Sequence, residues 1–122
     1  MAEVPLYQTK AEFFRTLGHP VRIRVLELLG DGPMVVRDLL ARIDIEASSL
    51  SQQLSVLRRA GIVTSTRDGG NVVYALAGPD VADLMRAARS FLTQMLANQA
   101  DLLEALRDEP DATSELPERV RA

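Results

Sequence analysis

Hydrophobic residues recur along this chain with two different periods, and the changes of period divide it into elements. Leu6, Phe13, Phe14 and Leu17, with Lys10 between them, stand at helical spacing and predict a first helix with one apolar stripe. Gly18-His19 interrupts it, His19 reading as a turn or cap residue. Pro20 suits the first turn of a second helix, where its missing N–H costs nothing. There Val21, Val25, Leu28 and Leu29 are read as buried, with Ile23 and Leu26 flanking, and Gly30-Asp31-Gly32-Pro33 as the stop. Val36, Leu39, Leu40 and Ile43 predict a short helix over 35–43. A fourth helix, in SSLSQQLSVLRRAGIV, carries Leu50, Leu54 and Leu57 and ends at Gly61, a C-cap glycine. The period then falls to two in IVTSTR and NVVYAL, on either side of Asp68-Gly69-Gly70, which predicts a β-hairpin. Gly78-Pro79-Asp80 opens the last helix, with Val81, Leu84, Ala88, Phe91, Met95, Leu102 and Leu106 on one stripe and Met85, Leu92, Leu96 and Leu103 beside it.

Two short helices joined by a tight turn and followed by a hairpin make a winged helix-turn-helix. The expected fold is mainly α (α+β): about five helices with a two-stranded wing. The stripe on the last helix, about 28 residues long, is wider than one small core needs, and the surplus points to a second copy of the chain as its cover. Leu6, Phe13, Phe14, Leu84, Phe91, Leu92, Met95 and Leu102 are the candidate dimer-interface residues. Residues 1–107 are read as one DNA-binding and dimerisation domain, and 108–122, acidic and twice broken by proline, as a disordered tail.

The fourth helix has a second side. With Leu50 set at zero and about 100° per residue, Leu54 and Leu57 lie within about 40° of it. Ser48, Gln52, Ser55 and Arg59 lie opposite, flanked by Ser51 and Arg58 on one side and Ser49 and Gln53 on the other. No carboxylate stands between Ser48 and Arg59. Glutamine can bond adenine in the major groove, serine base edges or phosphate, and arginine guanine or phosphate. A merely solvated face is the bland alternative, and placement between a tight helix pair and a hairpin favours DNA readout over it. At the hairpin tip Arg67 and Asn71 flank the glycine pair and suit phosphate or minor-groove contact, with Asp68 expected to face away.

Charge adjusts this picture without overturning it. The 122 residues carry a formal net charge of −3, which argues against indiscriminate nucleic-acid binding. Residues 10–67, however, hold nine basic and six acidic side chains, whereas 68–122 hold five and ten, so an acidic total conceals a basic region. Of the 14 basic residues all but Lys10 are arginine. That bias suits phosphate contacts and equally suits a GC-rich genome. The absence of cysteine removes disulfides, thiolate metal sites and cysteine nucleophiles. Without an apolar run of membrane-spanning length or a signal-like N-terminus, a cytoplasmic location is expected.

LGHPVRIRVLELL, SSLSQQLSVLRRAGIV and RDGGNVVYAL resemble, in three successive segments, the opening, recognition helix and wing of the ArsR/SmtB family of winged-helix repressors. The resemblance covers about residues 10–96 and implies a homodimer built from the first and last helices, binding an imperfect palindrome in double-stranded DNA and usually released by a ligand. It departs from the family where a histidine is common, at Gln53, and at Glu46, where a small capping residue is usual. One family metal site uses two cysteines at positions that here hold Val35 and Arg37. Another uses Asp, His, His and Glu where this chain has Gly78, Asp80, Phe91 and Gln94. No metal or other cofactor is therefore expected, and the effector is read as an unknown small molecule or protein, if there is one. Asn98 and Gln99, which interrupt the last stripe, suit either dimer register or an inducer pocket.

No nucleophile–base pair, phosphate-cradling loop or metal constellation marks an enzyme. The expected function is a sequence-specific, DNA-binding transcriptional repressor. The rival is a winged-helix module that docks on another protein without specific DNA binding. The candidate DNA-binding residues are Ser48, Ser49, Ser51, Gln52, Gln53, Ser55, Arg58, Arg59, Arg67 and Asn71.

Overall fold

The structure, a computed structural model, describes residues 3–108. Helix α1 spans Leu6–Leu17 and α2 spans Pro20–Leu29. Between them His19 takes an extended conformation and its Nδ1 accepts the Val21 N–H at 3.1 Å, which caps α2 behind the Pro20 first turn. A two-residue strand β1 (Met34–Val35) precedes α3 (Val36–Arg42), and α4 runs Ala47–Arg59. Strands β2 (Val63–Asp68) and β3 (Asn71–Leu76) form the wing, and α5 runs Pro79–Asp108. Five helices and the hairpin are thus where the periodicity put them.

The chain forms two compact units, residues 1–85 and a second beginning at Arg86. In the first, Leu26, Leu39, Leu50, Leu54 and Leu57 are fully buried with Val25 and Val63. Met34, Tyr74, Leu76, Val81, Leu84 and Met85 pack on that core from its edge. In the second, α5 continues to Asp108 and carries Phe91, Leu92, Met95, Leu96, Leu102 and Leu103 exposed. The acidic tail expected over 108–122 lies outside the described residues except for Asp108, which closes α5.

Three local features differ from the sequence reading. Leu26, read as flanking, is at the centre of the core with no exposure, while Val21 is only half-buried. The helix expected over 35–43 gives up its first residue to β1. Met34 pairs with Tyr74 and Val35 with Val73, which makes the wing a three-stranded antiparallel sheet in the order β1-β3-β2. The β-branched Val35 follows Gly32-Pro33, and β3 offers an open ladder edge, so pairing outweighs a first helical turn there. α4 starts at Ala47 with no side-chain cap from Glu46.

The end of α4 is better determined. The Gly61 N–H bonds the Arg58 carbonyl and the Ile62 N–H bonds the Leu57 carbonyl, each at 3.0 Å, and Ile62 is buried. This is a Schellman motif with Gly61 in the left-handed region at φ 77°. The chain passes from helix to wing through Ala60–Ile62 alone, and the Ala77 N–H bonds back to the Ile62 carbonyl at 3.0 Å. At the hairpin tip Asp68 pairs with Asn71, leaving Gly69 and Gly70 as a two-residue turn with Gly69 at φ 65°.

Leu54→Ala should lower the unfolding free energy by about 2–5 kcal/mol, because it empties a site at the core centre. Gly61→Ala should cost about 1–2 kcal/mol, all of it backbone strain, since a Cβ there meets nothing within 4 Å. Urea denaturation at one protein concentration measures both, and a neutral Gly61→Ala would mean that the turn relaxes.

Candidate nucleic-acid interface

Seating Leu50, Leu54 and Leu57 in the core decides which residues of α4 face outward. Ser48, Ser49, Ser51, Gln52, Arg58 and Arg59 are exposed, and Gln53 and Ser55 are half-buried. An open groove of about 570 Å³ runs along this side, lined by Ser51, Gln52, Gln53, Ser55, Val56 and Arg59 from α4 and by Arg22 from α2. The groove therefore gathers five of the ten candidate DNA-binding residues. Ser48, Ser49 and Arg58 lie on the same helix outside the groove lining, and Arg67 and Asn71 stand at the wing tip. Arg58 makes no ion pair among the described residues.

The groove holds amides, hydroxyls and guanidinium groups, with no carboxylate in its lining. Such a surface donates to and accepts from base edges and attracts phosphate. The Arg59 Nε lies 3.4 Å from the Ser55 carbonyl, a long contact that leaves the rest of the guanidinium to other partners. On the wing, the register sets Arg67 opposite Val72, on the same face as Val63 and Leu76. Asp68 and Asn71 fall on the other face by the alternation of the strand. Asp68 thus lies on the opposite face of the strand from Arg67. Asn71 shares the side of Asp68, so the two tip residues do not present one common surface.

Arg22 is the groove residue that the sequence reading missed. Its Nε donates to Gln53 Oε1 at 2.7 Å and its Nη1 to the Thr16 carbonyl at 2.9 Å. One half-buried side chain therefore ties the last turn of α1, the start of α2 and the middle of α4. Arg22, Leu26 and Leu29 stand at i, i+4 and i+7, which puts a guanidinium on the buried stripe of α2, where it requires partners. That spacing was the available signal. The amide oxygen of Gln53 is engaged by this arginine, and its NH₂ end is not.

Of the candidate dimer residues, Leu6, Phe14, Phe91, Leu92, Met95 and Leu102 are exposed, Phe91 and Leu6 the most at 68% and 67%. Phe13 and Leu84 are half-buried and pack partly against their own core. Among the described residues no three His, Cys, Asp or Glu side chains come together in a way that could hold a metal ion. With Val35 and Arg37 at the junction of β1 and α3, the donor chemistry there does not fit one either. No helix among the described residues is long and apolar enough to cross a membrane.

A family model described as a helix-turn-helix domain matches residues 17–66. The HTH-type transcriptional regulator Rv0081 of Mycobacterium tuberculosis is 49% identical over 114 residues, which span 93% of this chain and 100% of that protein. Its crystal structure matches with a TM-score of 0.73, over 80% of this chain and 99% of that one. The transcriptional repressor BigR from Xylella fastidiosa is 35% identical with a TM-score of 0.66, over 70% of this chain and 87% of that one. The homodimeric winged helix-turn-helix DNA-binding domain of Mb0332 from Mycobacterium bovis, a possible ArsR-family regulator, is 25% identical. Its TM-score is 0.69, over 80% of this chain and 95% of that one.

Arg22→Met should lower stability by about 1–3 kcal/mol, because it removes two charge-assisted bonds at a half-buried site. Gln53→Ala should cost less, since Arg22 keeps the Thr16 carbonyl. Urea denaturation of the two variants side by side checks the order, and equal losses would mean that the bond to Thr16 contributes nothing.

Proposed function

Because the chain belongs to the ArsR/SmtB family of winged helix-turn-helix transcriptional regulators, we propose that it acts as a homodimeric repressor at a palindromic operator. The members of this family are regulators of transcription and not enzymes. The observation that carries the proposal is the outward face of α4, which holds serine, glutamine and arginine and no carboxylate across the helix. In the proposed mode the α4 helices of two copies enter successive major grooves about one turn apart. Ser48, Ser49, Ser51, Gln52, Gln53 and Ser55 then meet bases or orient the helix on them. Arg58, Arg59, Arg67 and Asn71 hold the phosphate backbone on either side.

The second copy is proposed from the same physics. Leu6 and Phe14 on α1, and Phe91, Leu92, Met95 and Leu102 on α5, are large apolar side chains left in water. Exposed apolar side chains of this size on a helix are sites for another protein surface, and the homodimeric neighbour from Mycobacterium bovis supports a second copy of this chain as that surface. Phe13 and Leu84, the remaining candidates, are shared with the core. An effector that releases the DNA would be a small organic molecule or a protein, because no donor set among the described residues suits a metal.

Binding of purified protein to random and selected DNA over a range of salt concentrations tests this reading. Specific readout predicts a steep loss of affinity with salt and a clear margin over random sequence. Equal, weak binding of both at every salt would sink it and favour a protein partner. Gln52→Ala should lose about 1–3 kcal/mol of discrimination at one operator position. Arg67→Ala should weaken all sequences alike and reduce the salt slope by about 1.

A further inference from the structure

Building on the proposed entry of α4 into DNA, we infer that Arg22 fixes Gln53 as a hydrogen-bond donor, so that Gln53 selects the keto bases guanine and thymine over adenine and cytosine. A glutamine amide carries an accepting oxygen at one end and a donating NH₂ at the other. With both ends open it matches adenine, whose N7 accepts and whose N6 amino group donates. Arg22 removes that option. A guanidinium has no acceptor, so it meets the amide through Oε1 and never through Nε2. The orientation of the amide therefore follows from the chemistry of its partner.

The geometry holds this arrangement in place. The Arg22 Nε lies 2.7 Å from Gln53 Oε1, a short, charge-assisted bond between half-buried groups. The guanidinium cannot follow Gln53 outward without giving up the Thr16 carbonyl, 2.9 Å from Nη1. Drawing Oε1 inward toward α2 turns Nε2, at the other end of the amide, toward the groove that Gln53 lines. The base edge facing Gln53 then meets a donor. Guanine offers two adjacent acceptors, N7 and O6, and thymine offers O4, whereas adenine sets its single acceptor N7 beside a donating N6 and cytosine offers only its N4 donor. Gln52, one position earlier, is exposed and makes no hydrogen bond within the described residues, so it retains both ends. Two adjacent glutamines thus carry different base preferences, and the difference resides in an arginine 31 residues away in sequence from Gln53. Arg22 acts here as a positioning residue.

Selection of binding sites from a randomised double-stranded DNA pool by the full-length protein tests this. The comparison uses the wild type, Gln53→Ala, Gln53→Glu, Arg22→Met and Arg22→Lys. The operator position that loses its preference in Gln53→Ala should carry guanine or thymine in the wild type, by about three- to tenfold over adenine. Arg22→Met frees Oε1 and should move that position toward adenine. Arg22→Lys, also a pure donor, should keep the keto base even where overall affinity falls, which a merely structural role for Arg22 would not predict. If Arg22→Met does not fold, Gln53→Glu decides beside the wild type. It keeps an acceptor for Arg22 but presents an oxygen to the base, and should switch the position to cytosine. Adenine at that position in the wild type overturns the inference, as do base preferences untouched by Gln53→Ala or unchanged in a folded Arg22→Met. A pool that yields no consensus with the wild type overturns the DNA-reading itself, and this inference with it.

Discussion

Everything on the outer side of α4 depends on the burial of Leu50, Leu54 and Leu57 on its inner side. The three leucines meet Leu26, Leu39 and Val25 in one core, and their spacing allows one rotation of the helix about its axis. Turning α4 by one residue would lift a leucine into water and push serine or glutamine into a region without partners. Each unsatisfied polar group there costs about 1–3 kcal/mol. The polar face is therefore set by hydrophobic packing on the opposite side of the helix. The same core receives Met34 and Tyr74 from the sheet, so the wing is referenced to the same seam.

Arg22 adds a second level of order. Packing fixes where Gln53 sits, and the arginine fixes which of its ends is turned inward. Its other bond, to the Thr16 carbonyl, reaches the last turn of α1, whose apolar residues Leu6 and Phe14 are exposed. One side chain is thereby bonded to both α1 and α4. Coupling of this kind is carried by discrete contacts between packed elements.

Much of the fold was legible because the strongest signals are local. The stripe of α1, the Pro20 start of α2, the Gly61 end of α4 and the Gly69-Gly70 turn each follow from residue types within a few positions of one another. What was not legible came from afar. Met34–Val35 became a strand because β3, some 40 residues on, offers it a ladder edge, and no local propensity shows that. Leu26 reads as flanking when only α2 is considered, and becomes central once α4 and α3 close over it. The polar face of α4 was readable from its missing carboxylates. The engagement of Gln53 was not, since it joins residues 31 apart in sequence, although an arginine in line with Leu26 and Leu29 announced an unmet need for partners.

The short passage from α4 to the wing has a geometric consequence. Three residues, two backbone bonds of the Schellman turn and the Ala77–Ile62 bond connect the helix to both wing strands and leave little slack between them. Helix and hairpin then behave as the two arms of a rigid caliper. In the proposed binding mode, the distance between the groove that α4 enters and the backbone that the wing tip touches becomes a property of the protein. An operator half-site must match that span or be bent to it, so the fold measures length even at base pairs that no side chain contacts.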